Sequence, residues 1–202
     1  MDSAFRSVYQ SALEDPETFW AQAAEDVHWY RRWDQVLDDS TPPFYRWFPG
    51  AQINTCFNAL DLHVEQGRGE QAALIYDSPV TQTQRTFTYA QLRDETARFA
   101  GVLAGLGVTK GDRVIVYMPM VPETVIAMLA CARLGAIHSV VFAGFSPDAL
   151  AGRIADCGAR MVITADAGRR GGKPVPLKDN VDEALRQDGT GVGEKVRVVR
   201  HG

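Results

Sequence analysis

From Ala72 onward the chain alternates short β-rich runs with helical ones, and the connections between them are brief. Residues 72–76 and 85–87 read as strands. Thr88 with Gln91 forms a capping-box signature that opens a helix with Leu92, Thr96, Phe99, Leu103 and Leu106 on one face, and Gly107 is placed to end it. An apolar strand follows at 113–117. Pro122 then starts a helix with Val125, Met128, Leu129 and Ala132 inward, which ends near Gly135. A strand at 136–142 leads through Ala143-Gly144-Phe145 to a helix capped by Ser146-Pro147 that runs to Cys157-Gly158. Strands at 160–164 and 195–200 complete the series. Strand, helix, strand with such short links predicts an α/β fold: a parallel sheet with right-handed crossovers and helices on both faces.

Parallel strands all end on one edge of their sheet, where open α/β sheets bind ligands. Two segments meet there. One is the small turn Phe142-Ala143-Gly144. The other is a basic glycine loop, Ala167-Gly168-Arg169-Arg170-Gly171-Gly172-Lys173-Pro174, followed by Val175-Pro176-Leu177. Three cations on a flexible backbone suit anionic oxygens, and Arg170 can offer a planar fork of donors. The small turn lets a ring approach, so the pair could seat an aromatic base and its phosphates; a solvated basic turn without ligand is the plainer alternative.

Charge supports a local site. From Arg169 to Gly202 eight Lys/Arg stand against five Asp/Glu, within a chain whose net charge is −4. General affinity for nucleic acid or an acidic membrane is therefore not expected. At 202 residues and 46% hydrophobic, the chain can bury one core plus an appended segment. That segment is residues 1–50. It holds all four tryptophans (Trp20, Trp29, Trp33 and Trp47), opens a helix at Asp15-Pro16-Glu17, and reads as mainly helical, its aromatics packing onto the main body of 51–202. A partner-binding surface is the sharper reading of the same tryptophans.

Other chemistry is excluded residue by residue. Gly168 to Lys173 has the wrong spacing for a P-loop, and Pro174 follows the lysine. The run 189–193 lacks the strand that a dinucleotide fingerprint requires and reads as a linker. His28, His63, His138 and His201 have no evident partners, so no histidine is assigned a catalytic role. Cys56, Cys131 and Cys157 show no metal spacing and read as reduced, packed thiols. No G-x-S-x-G elbow and no metal set is present. The first residues lack a signal-peptide pattern, and no window reaches the ~18 apolar residues of a membrane span, so a cytoplasmic location is expected.

Several runs carry a resemblance to a known family. They are Thr86-Phe87-Thr88-Tyr89-Ala90-Gln91-Leu92, then 107–114, Tyr117-Met118-Pro119-Met120-Val121-Pro122-Glu123, and 130–142. In combination these resemble the short-chain acyl-CoA synthetases, the acetyl- and propionyl-CoA synthetase branch of the adenylate-forming enzymes. Phe19-Trp20, Trp33 and Phe48-Pro49-Gly50 look like the preliminary segment of that branch, and 76–81 is closer to the propionyl type.

The resemblance implies a ligase of two steps. A carboxylate attacks the α-phosphate of ATP, giving an acyl-adenylate and pyrophosphate, and the thiol of coenzyme A then displaces AMP. It also implies that the coenzyme A nucleotide lies against a Phe-Gly-Gly turn, an Arg-x-x-Arg loop and an apolar-Pro pair. The matching positions are Phe142-Ala143-Gly144, then Arg170-Gly171-Gly172-Lys173, then Val175-Pro176. Arg170 would contact the 3′-phosphate region, Lys173 would add charge, and Phe142 and Pro176 would flank the adenine. Lys173 stands where the family has a second arginine and lacks its fork. Ala143 stands in place of a glycine.

The family's ATP loop, acyl pocket, adenylate motifs and catalytic lysine have no counterpart before Gly202, so no residue is assigned a catalytic role. The expectation is an amino-terminal part of an AMP-forming acetate or propionate CoA ligase, inactive alone. Its partners would be the small-molecule substrates and the missing carboxy-terminal part, with ATP and Mg²⁺ used by the whole enzyme only. The alternatives are a stand-alone module that binds coenzyme A, a related nucleotide or a protein partner, and a misfolded remnant, since a half sheet exposes an unpaired edge.

Overall fold

In a computed structural model, residues 4–170, 173–187, 189–191 and 196–200 are described. Gly171, Gly172, Lys195, His201 and the latter part of the 189–193 linker lie outside them, as does the side chain of Arg170. The chain divides into two compact units, residues 1–54 and 55–202.

In the first unit, helices α1 (Ala4–Glu14) and α2 (Pro16–Ala23) are followed by an irregular stretch. The Asp15 carboxylate accepts from Thr18 N at 3.1 Å, and Pro16 takes the first helical position, as that sequence dictates. Two short strands, β1 (Leu37–Asp38) and β2 (Arg46–Trp47), pair antiparallel. The rings of Trp29, Trp33 and Phe48 pack on one another at centroid distances of 5.0–5.4 Å, and Trp29 Nε1 donates to Ala24 O at 2.8 Å.

The second unit begins with a wide-turned helical stretch, Phe57–Asp61 and Val64–Arg68. Strands β3 (Ala72–Ser78) and β4 (Thr83–Thr88) follow, and they form an antiparallel ribbon of their own outside the parallel sheet. Helix α3 (Tyr89–Gly105) carries the full capping box: Gln91 N donates to Thr88 Oγ1 at 3.3 Å, and Thr88 N to Gln91 Oε1 at 3.0 Å.

The parallel sheet contains β5 (Arg113–Met118), β6 (Ile137–Phe142), β7 (Met161–Ala165) and β10 (Val196–Val199), in the order β10-β7-β5-β6. Helix α4 (Pro122–Leu134) links β5 to β6, and α5 (Pro147–Cys157) crosses back from β6 to β7. Gly135 and Gly158 end these helices in the left-handed conformation that glycine adopts without a Cβ penalty. Alternate side chains of β5 serve opposite faces. Val114, Val116 and Met118 pack with α3 and α4, through Ala100, Leu103, Ala127, Ala130 and Cys131. Ile115 and Tyr117 pack with α5 and with α6 (Leu177–Leu185), through Leu150, Ile154, Leu177 and Val181. The helices therefore lie on both faces of the sheet.

Two details depart from the sequence expectation. On α4 the deepest positions are Ala127, Ala130 and Cys131, with Pro122, Thr124 and Ile126 also buried, while Val125, Met128, Leu129 and Ala132 are half-buried. Small side chains bring that helix close to the sheet, so its deepest stripe is not its bulkiest one. The basic segment expected as a flexible loop is a short antiparallel hairpin, β8 (Gly168–Arg170) with β9 (Lys173–Val175), in which Arg170 pairs with Lys173.

Candidate functional site: a cavity at the carboxyl ends of the strands

Strands β5, β6 and β7 deliver three segments to one edge of the sheet, where a cavity of about 630 Å³ opens. Its walls are Met118-Pro119-Met120 after β5, 140–144 at the end of β6, and Gly168, Arg169 and Val175 of the β8–β9 hairpin. Thr124 of α4 and residues 76–80 of the β3–β4 ribbon close the remaining side.

Each wall is fixed by specific contacts. Thr124 Oγ1 donates to Pro119 O at 2.7 Å and Val121 N donates to the same carbonyl at 2.9 Å, which pins the segment after β5. A Cβ on Gly168 would stand 3.3 Å from Leu177 Cδ1 and 3.6 Å from Pro119 Cβ, so the hairpin enters the site with little room for a side chain there. The turn after β6 is closed by Phe145 N donating to Phe142 O at 3.0 Å. Beneath it lies Tyr117, fully buried, whose hydroxyl is 3.1 Å from Ala143 O and 2.9 Å from Phe145 O. Asn180 Nδ2 of α6 donates to the same hydroxyl at 3.1 Å. Burial pushes the Tyr117 phenol above its ordinary value, which keeps it protonated.

Of the nine sequence-predicted site residues, Phe142, Ala143, Gly144 and Val175 line the cavity. Lys173 is exposed on β9 and Pro176 is the residue before α6; neither is on the cavity wall. The backbone of Arg170 is in β8, and Gly171 and Gly172 lie outside the described residues. Met118, Met120 and the ribbon residues 76–80 were not legible as site residues. Arg169 is among the three cations read as suited to anionic oxygens, but the resemblance singles out Arg170, and a loop gives no alternation by which to choose between neighbours. The ribbon is distant in sequence and carries no motif.

The wall is mainly apolar, with Arg169 and Asp77 bringing opposite charges to it. Phe142, Val140, Met118, Val175 and Val80 supply apolar surface for a flat ring, and Arg169 on the adjoining hairpin supplies positive charge. Among the described residues no histidine or cysteine lines the cavity, and no group of three His, Cys, Asp or Glu could hold a metal ion. No helix among them is long and apolar enough to cross a membrane.

Residues 61–200 match the family model described as AMP-binding enzyme, and residues 5–59 match that of the acetyl-coenzyme A synthetase N-terminus. The acetyl-coenzyme A synthetase of Rubrobacter xylanophilus is 53% identical over 193 residues, 96% of this chain and 30% of that protein. That of Streptomyces coelicolor is 52% identical over 192 residues, 95% of this chain and 29% of the relative. Among solved structures, the acetoacetyl-CoA synthetase from Streptomyces lividans superposes with a TM-score of 0.84 at 29% identity, covering 98% of this chain and 30% of that one. The chain thus spans about 30% of the length of the relatives it matches.

Proposed function

As a chain that belongs to the AMP-binding enzyme family, the protein is, we propose, the amino-terminal part of an AMP-forming short-chain acyl-CoA ligase, whose cavity at the sheet edge takes the nucleotide end of coenzyme A. The observation that carries this reading is the convergence of the 142–144 turn and the basic β8–β9 hairpin on one cavity.

In this reading the adenine lies against Phe142 and the 143–144 backbone, with Val175 and Pro176 on its far side. Arg170, Lys173 and the Gly171-Gly172 connection hold the 3′-phosphate, and Arg169 adds charge at the wall. These residues bind and orient; the acyl transfer is done elsewhere in the ligase, with acetate or propionate as the carboxylate and ATP with Mg²⁺ as co-substrate. Residues 1–50 are then the appended segment of acetyl-CoA synthetase type, and 51–202 the first α/β subdomain. The location is the cytoplasm, where those substrates are. A stand-alone nucleotide-binding module is not favoured, because the relatives matched over nearly the whole chain are named as synthetases.

Calorimetry on the folded 202-residue chain tests the reading, with coenzyme A and 3′-dephospho-coenzyme A as ligands. Coenzyme A should bind about tenfold more tightly, and Arg170→Ala should remove most of that preference, because a charge-assisted contact contributes about 1.5 kcal/mol or more. Equal affinity for the two ligands, or no binding by a chain shown to be folded, overturns it.

A further inference from the structure

The turn Phe142-Ala143-Gly144-Phe145 uses its carbonyls unevenly. Phe142 O accepts from Phe145 N, closing the turn, while Ala143 O and Phe145 O both face the hydroxyl of Tyr117. Tyr117 points into the core on the α5/α6 face of the sheet. Its neighbour Met118 points to the α3/α4 face and lines the cavity. A trans peptide is planar, and its N–H points opposite to its C=O. With the Ala143 carbonyl drawn down onto Tyr117, the N–H of the Ala143–Gly144 peptide points away from Tyr117, and Gly144 is itself a residue of the cavity wall.

That orientation is imposed by one buried hydroxyl. A phenol has one hydrogen to donate, here shared by two carbonyls of the turn, and it accepts from Asn180 on the helix that follows the basic hairpin. Tyr117 therefore links both ligand-side segments: the turn after β6 and, through Asn180, α6 and the hairpin before it.

We infer that Tyr117, steadied by Asn180, is a positioning residue that aims the Gly144 N–H into the cavity as a donor to the bound nucleotide. The inference rests on the nucleotide reading of the site above, but its geometric half does not. A tyrosine that served packing alone would be replaced by phenylalanine without consequence for the turn or its ligand.

The test uses ¹⁵N-labelled full chain, wild type and Tyr117→Phe, with adenosine 3′,5′-bisphosphate as the probe. The wild-type Gly144 amide should shift saturably on titration. In Tyr117→Phe the affinity should fall about five- to tenfold, the worth of one hydrogen bond to a buried group. The Phe145 amide, which closes the turn, should exchange about tenfold faster, while the Ile163 amide of β7 keeps its rate. Asn180→Ala should move both readouts the same way by less, and carries the test should the phenylalanine variant fail to fold. Unchanged affinity together with unchanged Phe145 exchange overturns the inference while leaving the site intact. If the wild type binds no nucleotide, the functional reading fails and the donor role fails with it; Phe145 exchange still reports whether Tyr117 holds the turn.

Discussion

Strands β6 and β7 flank β5 on either side, both parallel to it, and both lead into a wall of the cavity, yet they are held in opposite ways. Every residue of β7 is buried, between β5 and β10 and between helices on both faces. β6 lies at the sheet's edge among the described strands, with Val141 buried but Ile137, Val140 and Phe142 all more than half exposed. Burial fixes the hairpin after β7 through its strand. The turn after β6 has less of that support, with Ala143 packed against the core but Phe142 exposed, and two of its carbonyls meet the Tyr117 hydroxyl reaching across from β5. One site is thus built from a wall set by packing and a wall set by directed hydrogen bonds.

The contrast can be broken most directly in the core. Ile163→Ala, at the centre of β7, should lower unfolding free energy by about 3 kcal/mol in a urea titration, the cost of an aliphatic truncation in a site that cannot collapse. A loss below about 1 kcal/mol would mean that β7 is not the rigid member of the pair.

On the other side, α4 shields β5 and β6 with Cys131, whose thiol burial pushes from the ordinary 9.0 up to about 11. A native pKa raised above the unfolded one gives stability that is complete below pH 9 and disappears as pH climbs toward 11. Urea midpoints across that window should fall by the equivalent of about 2 kcal/mol, and Cys131→Ala should flatten the limb. Cys56 and Tyr117, also raised by burial, push in the same direction. Stability that held level to pH 11 would show the α4 side to be wet.

Asp112 ties β5 and β7 together at their opposite end. Its carboxylate accepts from Thr109 N at 2.7 Å, from Thr109 Oγ1 at 2.9 Å and from Arg160 at 3.2 Å, joining the start of β5 to the start of β7. These donors, the Thr109 N–H foremost, hold its pKa below the ordinary 3.8. Asp112→Asn should cost about 1–2 kcal/mol at neutral pH. The wild type keeps this contribution above pH about 4 and loses it as pH falls through the lowered native value, so the variant's acid limb should be shallower. Identical acid limbs would mean that the Asp112 carboxylate does not hold the two strand starts together.

The smallest effect belongs to the edge. Val140→Lys on β6 should change stability by less than about 0.5 kcal/mol while reducing self-association in sedimentation, because charge blunts an open strand edge. A penalty like that of Ile163→Ala would make β6 an interior strand in all but position.

Much of this was legible in the sequence because it is local. The Thr88–Gln91 box, the Asp15 and Ser146 caps and the Gly135 stop are decided within a few residues. The parallel sheet, and with it the meeting of Phe142–Gly144 with the basic segment, follows from alternation plus handedness. Residues 137–142 (Ile-His-Ser-Val-Val-Phe) and 161–165 (Met-Val-Ile-Thr-Ala), by contrast, both read simply as mainly apolar strands, and their neighbours in the sheet make one an edge and the other an interior strand. The glycines of 168–175 suggest a flexible loop in the sequence, although a Gly-Gly pair between short runs is also a hairpin signal. On α4, large side chains draw attention away from Ala127, Ala130 and Cys131, where smallness is what the sheet selects.

Strand order also bears on how the unit assembles as it leaves the ribosome. β5 emerges first and finds β6 within a few tens of residues, but β7 arrives only after α5, and Asn180 is 63 residues behind Tyr117. At roughly 5–20 residues per second, several seconds of synthesis separate the tyrosine from its last partner. The turn after β6 therefore takes its final aim late, when α6 docks and the buried hydroxyl gains its amide, so the receptive shape of the cavity is among the last things this stretch of chain acquires.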